Sequence, residues 1–583
     1  MSHSARSRTD RRLAAVAAVL LLACRSSTPA PAVASGAAAA PDPATGTAAA
    51  GVRAAGVTAA APAAPNIVVI LADDMGYSDI GAYGGEIPTP NIDRLAAEGV
   101  RFRQFYNNTR CSPTRAALLT GVYPHQAGMG HMPDNYAARV RGIFASPAYT
   151  DHLSRTTPTI AEVLRGAGYV SYMSGKWHLG YTRPDWPADR GFARSFVVLE
   201  GAMNYYGRGM QHTGEVARPP MANGEQGFVP PVEGFFATDA FADSAVRYVR
   251  EHRGDAPFFL YLAFTAPHWP LHAPAADVAR FRGRYGIGWD SLRAMRHRRL
   301  VDLGLVDARW PMAPRPEQVP AWDSVGEEAR DRWDLEMAVY AAQMERMDAG
   351  IGRLLRTLEE RGMRENTLVV FLSDNGGAAE NPNRSLPGAV TGERESFRGY
   401  GIRGAHVSSA PFRLTKKFTH EGGIATPAIV RWPARIPAGG AVTQEVGHVI
   451  DLLPTFAAAA GATFPAEHGG ARTTPPEGVS LLPALAGGTL AERTLYWEHE
   501  GNRAVRQGRW KLVSRYPDGW ELYDLEADGT ESRDLAASRP ERVRELAALY
   551  DAWTRRAGVE SWARTDTSAA ARQPGASRPG AHQ

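Results

Sequence analysis

The chain has 583 residues, 44% of them hydrophobic and 22% charged, with a formal net charge of +4. Only two are cysteines, Cys24 and Cys111, which excludes a disulfide framework and a cysteine-built zinc site. Charge this nearly balanced gives no case for a nucleic-acid partner, and the length predicts one large domain with a smaller one.

The N-terminal segment is basic (Arg6, Arg8, Arg11, Arg12) and runs into the apolar stretch Leu13–Ala23. That stretch falls well short of the roughly 20 residues a membrane-spanning helix needs, and reads as a signal-peptide core. Its ending, Leu21-Leu22-Ala23-Cys24, resembles a bacterial lipobox. The resemblance implies cleavage before Cys24, a lipid on its sulfur, and a periplasmic protein anchored to the outer membrane. The alternative is an ordinary secretory signal that contains Cys24. Loss of the leader removes four arginines and Asp10, leaving a formal charge of +1. Residues 24–64, beyond Cys24 almost all Ala, Pro, Ser, Thr and Gly, form a tether. A main domain over 65–490, a C-terminal subdomain over 491–564 and a disordered tail over 565–583 follow.

Asn66–Ala72 is a continuous apolar, β-branched run ending in Asp73-Asp74-Met75-Gly76. Such runs predict strands buried on both faces of a parallel sheet. Cys111-Ser112-Pro113-Thr114-Arg115 then opens a helix, with Ser112 as N-cap, Pro113 as first helical residue and Gly121 as the stop. Cys111 would stand just outside a positive helix end, with Arg115 leaning back toward it, a place that favours anionic substrates. The strand Tyr169–Met173 leads to Gly175-Lys176-Trp177-His178. If the chain stays extended there, Lys176 and His178 point the same way. The strand Phe258–Phe264 precedes Pro267-His268-Trp269-Pro270.

Met337, Tyr340, Met344, Met347, Ile351, Leu354 and Leu358 recur at helical spacing as one apolar stripe. The strand Thr367–Leu372 ends in Ser373-Asp374-Asn375-Gly376-Gly377, and Lys416-Lys417-Phe418-Thr419-His420-Glu421-Gly422-Gly423 precedes the strand Ala428–Val430. Strands alternating with helices predict an α/β domain whose site lies at the C-terminal strand ends. The acidic clusters at that edge form an all-oxygen set suited to Ca²⁺ or Mg²⁺ rather than zinc.

Six blocks, Asp-Asp-x-Gly, Cys-x-Pro-x-Arg, Gly-Lys-Trp-His, Pro-His-x-Pro, Ser-Asp-Asn-Gly and Lys-x-x-x-x-Glu-Gly-Gly, stand here in order from Asp73 to Gly423. In them the chain resembles the type I, formylglycine-dependent sulfatases of the alkaline phosphatase superfamily. His125–Gly130 and Thr419–Gly423 look more like the bacterial arylsulfatases. The resemblance continues through Asp451–Thr455 to Trp510-Lys511-Leu512 and Leu522–Leu525. It implies a large mixed, mostly parallel sheet sandwiched by helices, plus a C-terminal α+β subdomain with an antiparallel sheet.

The same resemblance implies that Cys111 is converted to Cα-formylglycine by a maturation enzyme. Asp73, Asp74, Asp374 and Asn375, with the modified Cys111, would bind Ca²⁺, Mg²⁺ being the lesser candidate. Arg115 would hold the modified side chain, and Lys176, His178, His268 and Lys416 would surround the sulfate. Lys416 is chosen over Lys417 because the family lysine lies five residues before the glutamate, here Glu421. His272 has no matching role.

The implied reaction is hydrolysis of an aryl, small-molecule or glycan sulfate ester by the aldehyde hydrate. His268 would protonate the leaving alcohol, and His178 would act in release of sulfate. The runner-up activity is phosphonate monoester or phosphodiester hydrolysis at the same site. A reading from another class is an inactive calcium-binding surface lipoprotein. The loops Glu200–His212 and Ala273–Trp333 are expected to set specificity.

Overall fold

The computed structural model describes residues 64–567, apart from 134–141, 208–210, 213–214, 217–220 and 437–438. The signal segment, the Cys24 lipobox, nearly all of the tether and the tail beyond Thr567 lie outside the described residues.

The apolar runs form strands where expected. β1 (Asn66–Ala72) pairs in parallel with both β7 (Phe258–Ala263) and β8 (Thr367–Ser373). β3 (Val170–Lys176) pairs in parallel with β7 and with β4 (Arg194–Val198). Toward one edge lie the antiparallel β5 (Met221–Asn223) and β6 (Gln226–Phe228). Toward the other lie β2 (Val100–Tyr106), β9 (Ala428–Arg431) and β10 (Ala441–His448). The ten-stranded order is β10-β2-β9-β8-β1-β7-β3-β4-β5-β6. The sheet is thus mixed and parallel at its centre. β1, β7 and β8 are buried along almost their whole length because helices cover both faces.

α1 (Cys111–Thr120) ends at Gly121, whose φ of 71° supplies the left-handed stop. Its start differs from expectation. The N-cap is Arg110, in extended conformation, and Cys111 is already the first helical residue. Pro113 fits one turn in because the first amides of a helix have no intrahelical partner to lose.

Along the sheet lie α2 (Ala237–Glu251) and the long α4 (Glu327–Glu360), whose stripe from Met337 to Leu358 is fully enclosed. Between them, α3 (Gly288–Asp302) carries the buried Arg296. Arg296 bonds Asp79 at 2.6 Å and Glu86 at 2.8 Å, and Asp79 accepts the Gly76 amide at 2.8 Å. Part of the 273–333 insert therefore braces the Asp73–Gly76 turn from below.

A separate antiparallel sheet, β11 (Thr494–His499), β12 (Asn502–Gln507), β13 (Trp510–Ser514) and β14 (Glu521–Asp524), precedes α5 (Pro540–Ala557). It joins the large sheet through buried charge. Lys511 Nζ lies 2.7 Å from Glu421 Oε1 and 2.8 Å from Glu531 Oε1, with no exposure.

One buried acid has a measurable consequence. Glu336 on α4 is 3% exposed, and burial pushes its carboxyl up to about 7 against the pull of Arg403, Arg332 and Arg398. Unfolded, it titrates near the usual 4.5. Between those values only the folded chain keeps the proton, so stability falls as pH rises through that window and is flat above it. Glu336→Gln should therefore raise the melting temperature at pH 8, by at most ~3 kcal/mol of stability, and change little at pH 4. Melts of both proteins across that range check it.

Candidate active site

The parallel register brings the first acids together. Ala72 on β1 pairs with Ser373 on β8, so Asp73 and Asp374 leave adjacent strands side by side. The Asp374 amide still donates to Ala72 O at 3.1 Å, and the Asp73 amide to Ala266 O at 3.0 Å. Asp74 turns back with φ 64°, its amide donating to Asp374 Oδ1 at 3.1 Å. Asn375 Nδ2 donates to Asp74 Oδ1 at 2.7 Å. α1 points its N-terminus at this group, and Cys111 Sγ lies 3.9 Å from Asp74 Oδ1.

Basic groups close over the acids. Lys176 Nζ sits 2.7 Å from Asp73 Oδ2, and Lys416 Nζ 2.8 Å from Asp74 Oδ2. Arg115 Nη2 is 2.9 Å from Asp374 Oδ2 and 3.5 Å from Asp73 Oδ1, while Nη1 donates to the Lys176 carbonyl. His268 Nε2 lies 3.3 Å from Asp74 Oδ2 and 3.4 Å from Lys416 Nζ. Its Nδ1 meets Trp269 O at 2.5 Å, which assigns the ring proton to Nδ1 and turns Nε2 into the site. Lys417 points elsewhere, toward Glu500.

The chain does not stay extended after Lys176. Gly175 has φ 108°, and a Cβ there would stand 1.8 Å from Ala263 O. His178 itself is left-handed, with φ 60°. The alternation argument for Lys176 and His178 therefore fails, yet the twisted turn still buries both beside the site. The His178 ring lies over Gly201, where a Cβ would come within 2.5 Å of Cε1. His272 is buried apart from the acids; its Nδ1 accepts the Tyr205 amide and its Nε2 meets Ser396 O, so it staples two loops together.

Electrostatics separates the two histidines. Burial lowers both, and for His178 the charges of Lys176, Arg115, His268 and Lys416 push it further down. His268 has Asp74 and Asp73 pulling it up against burial. For Asp73, burial works against ionisation, but Lys176, His268 and Arg115 outweigh it and hold the carboxyl below its usual range. Burial and the neighbouring Asp73 raise Asp374. Burial also pushes the Cys111 thiol far up.

Three carboxylates and an amide oxygen within one buried pocket suit a hard divalent cation. Two of their atoms, Asp73 Oδ1 and Asn375 Oδ1, are enclosed and accept no hydrogen bond. Ligand atoms of Asp73, Asp74, Cys111 and His268 also lie within 4.8 Å of one another. Zinc could use that mixed set, but the Lys416 ammonium beside His268 Nε2 makes the oxygen-only side the better cradle. The residues present fit Ca²⁺.

Sequence reasoning passed over two charged groups at the mouth, Arg110 and Glu380, which pair at 3.1 Å. Arg110 adjoins Cys111 in the chain and could have been flagged; Glu380 lies in a loop without a motif.

A buried oxyanion pocket of this kind, lined by cations at the ends of parallel strands, defines a hydrolase of anionic esters. Residues 65–462 match the sulfatase family, and residues 413–548 match the C-terminal region of N-sulphoglucosamine sulphohydrolase. An uncharacterised sulfatase of Schizosaccharomyces pombe is 35% identical over 531 residues, covering 85% of this chain and 94% of its own. An arylsulfatase of Klebsiella aerogenes is 36% identical over 414 residues, covering 68% and 87%. The crystal structure of Ps i-CgsB in complex with k-i-k-neocarrahexaose superposes with TM-score 0.62 at 24% identity, covering 87% of this chain and 100% of that one. The chain belongs to the sulfatase family and is a sulfuric ester hydrolase.

Proposed function

We propose that this sulfatase hydrolyses sulfate esters, aryl sulfates among them, at a nucleophile made from Cys111 by conversion to Cα-formylglycine. Asp73, Asp74, Asp374 and Asn375 would hold Ca²⁺. The observation that carries this reading is the placement of residue 111 at the head of α1, beside Asp74, with Lys416 and His268 on the same carboxylate. When bound, the ion and the aldehyde hydrate supply positive charge and two hydroxyls on one carbon.

The chain's own groups do the rest. Lys176 and Lys416 bring ammonium donors to the sulfuryl oxygens, where charge grows in the transition state. Arg115, wholly buried and anchored on Asp374, fixes the residue-111 side chain and adds charge. His268 presents Nε2 to the leaving oxygen as the general acid; burial holds its pKa below the ordinary value, and the charges of Asp74 and Asp73 offset that only in part. His178, kept neutral by burial and four cationic neighbours, is the base for release of sulfate. Export as a lipoprotein through Cys24 belongs to the same proposal, and a lipid mass on the mature N-terminus checks it.

The test is a series of aryl sulfates of graded leaving-group pKa, run beside an aryl phosphodiester. His268→Ala should lose most on poor leaving groups, because a good phenolate departs without a proton. His178→Ala should give a burst of phenol followed by slow turnover. Equal losses for both variants across the series, with no burst, would reverse these roles. Faster phosphodiester than sulfate cleavage by the unmodified sequence would overturn the substrate assignment.

A further inference from the structure

Successive amides of the Asp73–Gly76 turn are each taken by a side-chain oxygen. Asp74 N–H donates to Asp374 Oδ1 at 3.1 Å, Met75 N–H to Ser373 Oγ at 3.0 Å, and Gly76 N–H to Asp79 Oδ2 at 2.8 Å. The first two acceptors stand at the end of β8, beside the turn. Asp79 is different, because it is enclosed and gripped by donors from distant parts of the chain. Arg296 Nη1 on α3 meets its Oδ1 at 2.6 Å, and the Tyr340 hydroxyl on α4 meets its Oδ2 at 2.7 Å. Arg296 is itself enclosed, and its Nε and Nη2 donate to Glu86 at 2.8 Å and 2.9 Å. Tyr340, read from spacing as one member of an apolar stripe, thus carries a polar contact. On the other side of the turn Gly76 lies against Ser408, where a Cβ would stand 2.3 Å from the carbonyl oxygen.

We infer that Asp79, Arg296 and Tyr340 are positioning residues for the cation, fixing the turn so that the Asp73 and Asp74 carboxylates hold the geometry that binds Ca²⁺. This rests on the calcium reading of the pocket. A tight turn by itself needs only a short acceptor at residue 79, which asparagine or serine would supply. A buried carboxylate is costly unless it is paired, and here the pairing ties it to two helices. The turn has reason to need such a lock. Asp74 is left-handed at φ 64°, a conformation that a residue other than glycine keeps only where its surroundings over-determine it. Loosening the Gly76 amide lets that residue relax, which carries its carboxylate away from Asp374 and Asn375. Groups that orient a ligand without touching the metal typically govern roughly 10–100-fold of its affinity. α3, part of the segment expected to set specificity, thereby serves the cation.

The experiment titrates Ca²⁺ into chelator-treated parent enzyme, Asp79→Asn, Tyr340→Phe and Glu86→Gln, read by calorimetry and by melting temperature, with turnover of p-nitrophenyl sulfate alongside. Asp79→Asn should weaken Ca²⁺ binding roughly tenfold or more, and Tyr340→Phe severalfold. For both, added Ca²⁺ should bring kcat back toward that of the parent. Glu86→Gln takes away the outer partner of Arg296 and leaves its contact with Asp79, so it reports bare loss of stability. It should melt lower in chelator yet bind Ca²⁺ as the parent does. If Asp79→Asn fails to fold, Tyr340→Phe, which loses a single hydroxyl, carries the test. Parent-like Ca²⁺ affinity in the folded variants, activity losses that no amount of Ca²⁺ restores, or equal weakening by Glu86→Gln would each overturn the inference while the calcium reading stands. A parent that binds no Ca²⁺ would sink the calcium reading, and this inference with it.

Discussion

Cys111→Ala is expected to abolish sulfate ester hydrolysis while leaving the fold intact. The side chain is 1% exposed and lies at the first position of α1, where alanine is an excellent helix former. Its loss removes a small buried group, so the melting temperature should move by only a few degrees. Activity should fall to background, because alanine at residue 111 cannot be converted to the aldehyde that supplies the nucleophile. Protein from a host able to mature sulfatases should carry a residue 111 lighter than cysteine by about 18 Da, the difference between thiol and aldehyde. Peptide mass spectrometry of active enzyme settles the point: unmodified cysteine alone would end the formylglycine reading. Cys111→Ser separates the chemistry from the shape, since an ordinary serine is left as a stable sulfate ester after one turnover.

The second large effect concerns the cation cradle. Asp374→Asn should weaken Ca²⁺ binding and remove most activity, and exhaustive chelation should do the same to the parent enzyme. A readout independent of turnover exists. Ca²⁺ should raise the melting temperature of the parent, because it binds only the folded site, and should raise that of the variant much less. The substitution also strips Arg115 of its nearest carboxylate, at 2.9 Å, in a place with no solvent. A buried guanidinium left with only Asp73 at 3.5 Å and a backbone carbonyl is destabilising, so Asp374→Ala should melt well below Asp374→Asn. Full activity at zero metal content would refute the ligand assignment.

Much of this architecture can be read from residues alone, for a physical reason. β1, β7 and β8 lie inside the sheet, so all but their end positions are apolar and the runs stand out from Asn66, Phe258 and Thr367 onward. Acids that follow such runs must fall at one edge, which is why Asp73 and Asp374 can be placed together before any coordinates. Local backbone geometry was harder to see. Ser112 is the better capping residue by preference, yet the helix starts at Cys111 because tertiary packing outweighs a preference worth about 1 kcal/mol. His178 breaks the extended path through a left-handed turn that no alternation rule describes. Contacts such as Arg110 with Glu380 join loops far apart in the chain through side-chain reach alone, and no periodicity encodes them.

Lys511 gives the C-terminal sheet a part in the chemistry of a pocket it does not line. Its ammonium is enclosed between Glu421 and Glu531, and the Glu421 amide donates to Glu531 Oε2 at 2.8 Å. Arg413 and His420 are held by Glu521 from the same sheet, at 2.7 Å and 3.0 Å. These contacts clamp both ends of the segment that presents Lys416. A chain cut before Thr494 would leave buried Glu421 without its cation, held only by the Tyr106 hydroxyl at 2.8 Å, and would loosen the segment that carries Lys416. Because Glu421 lies before residue 490 and Lys511 and Glu531 lie after it, a chimaera joined near that boundary takes the cluster from two parents. Lys416 is then expected to stay in place only where the second parent supplies a matching lysine and glutamate.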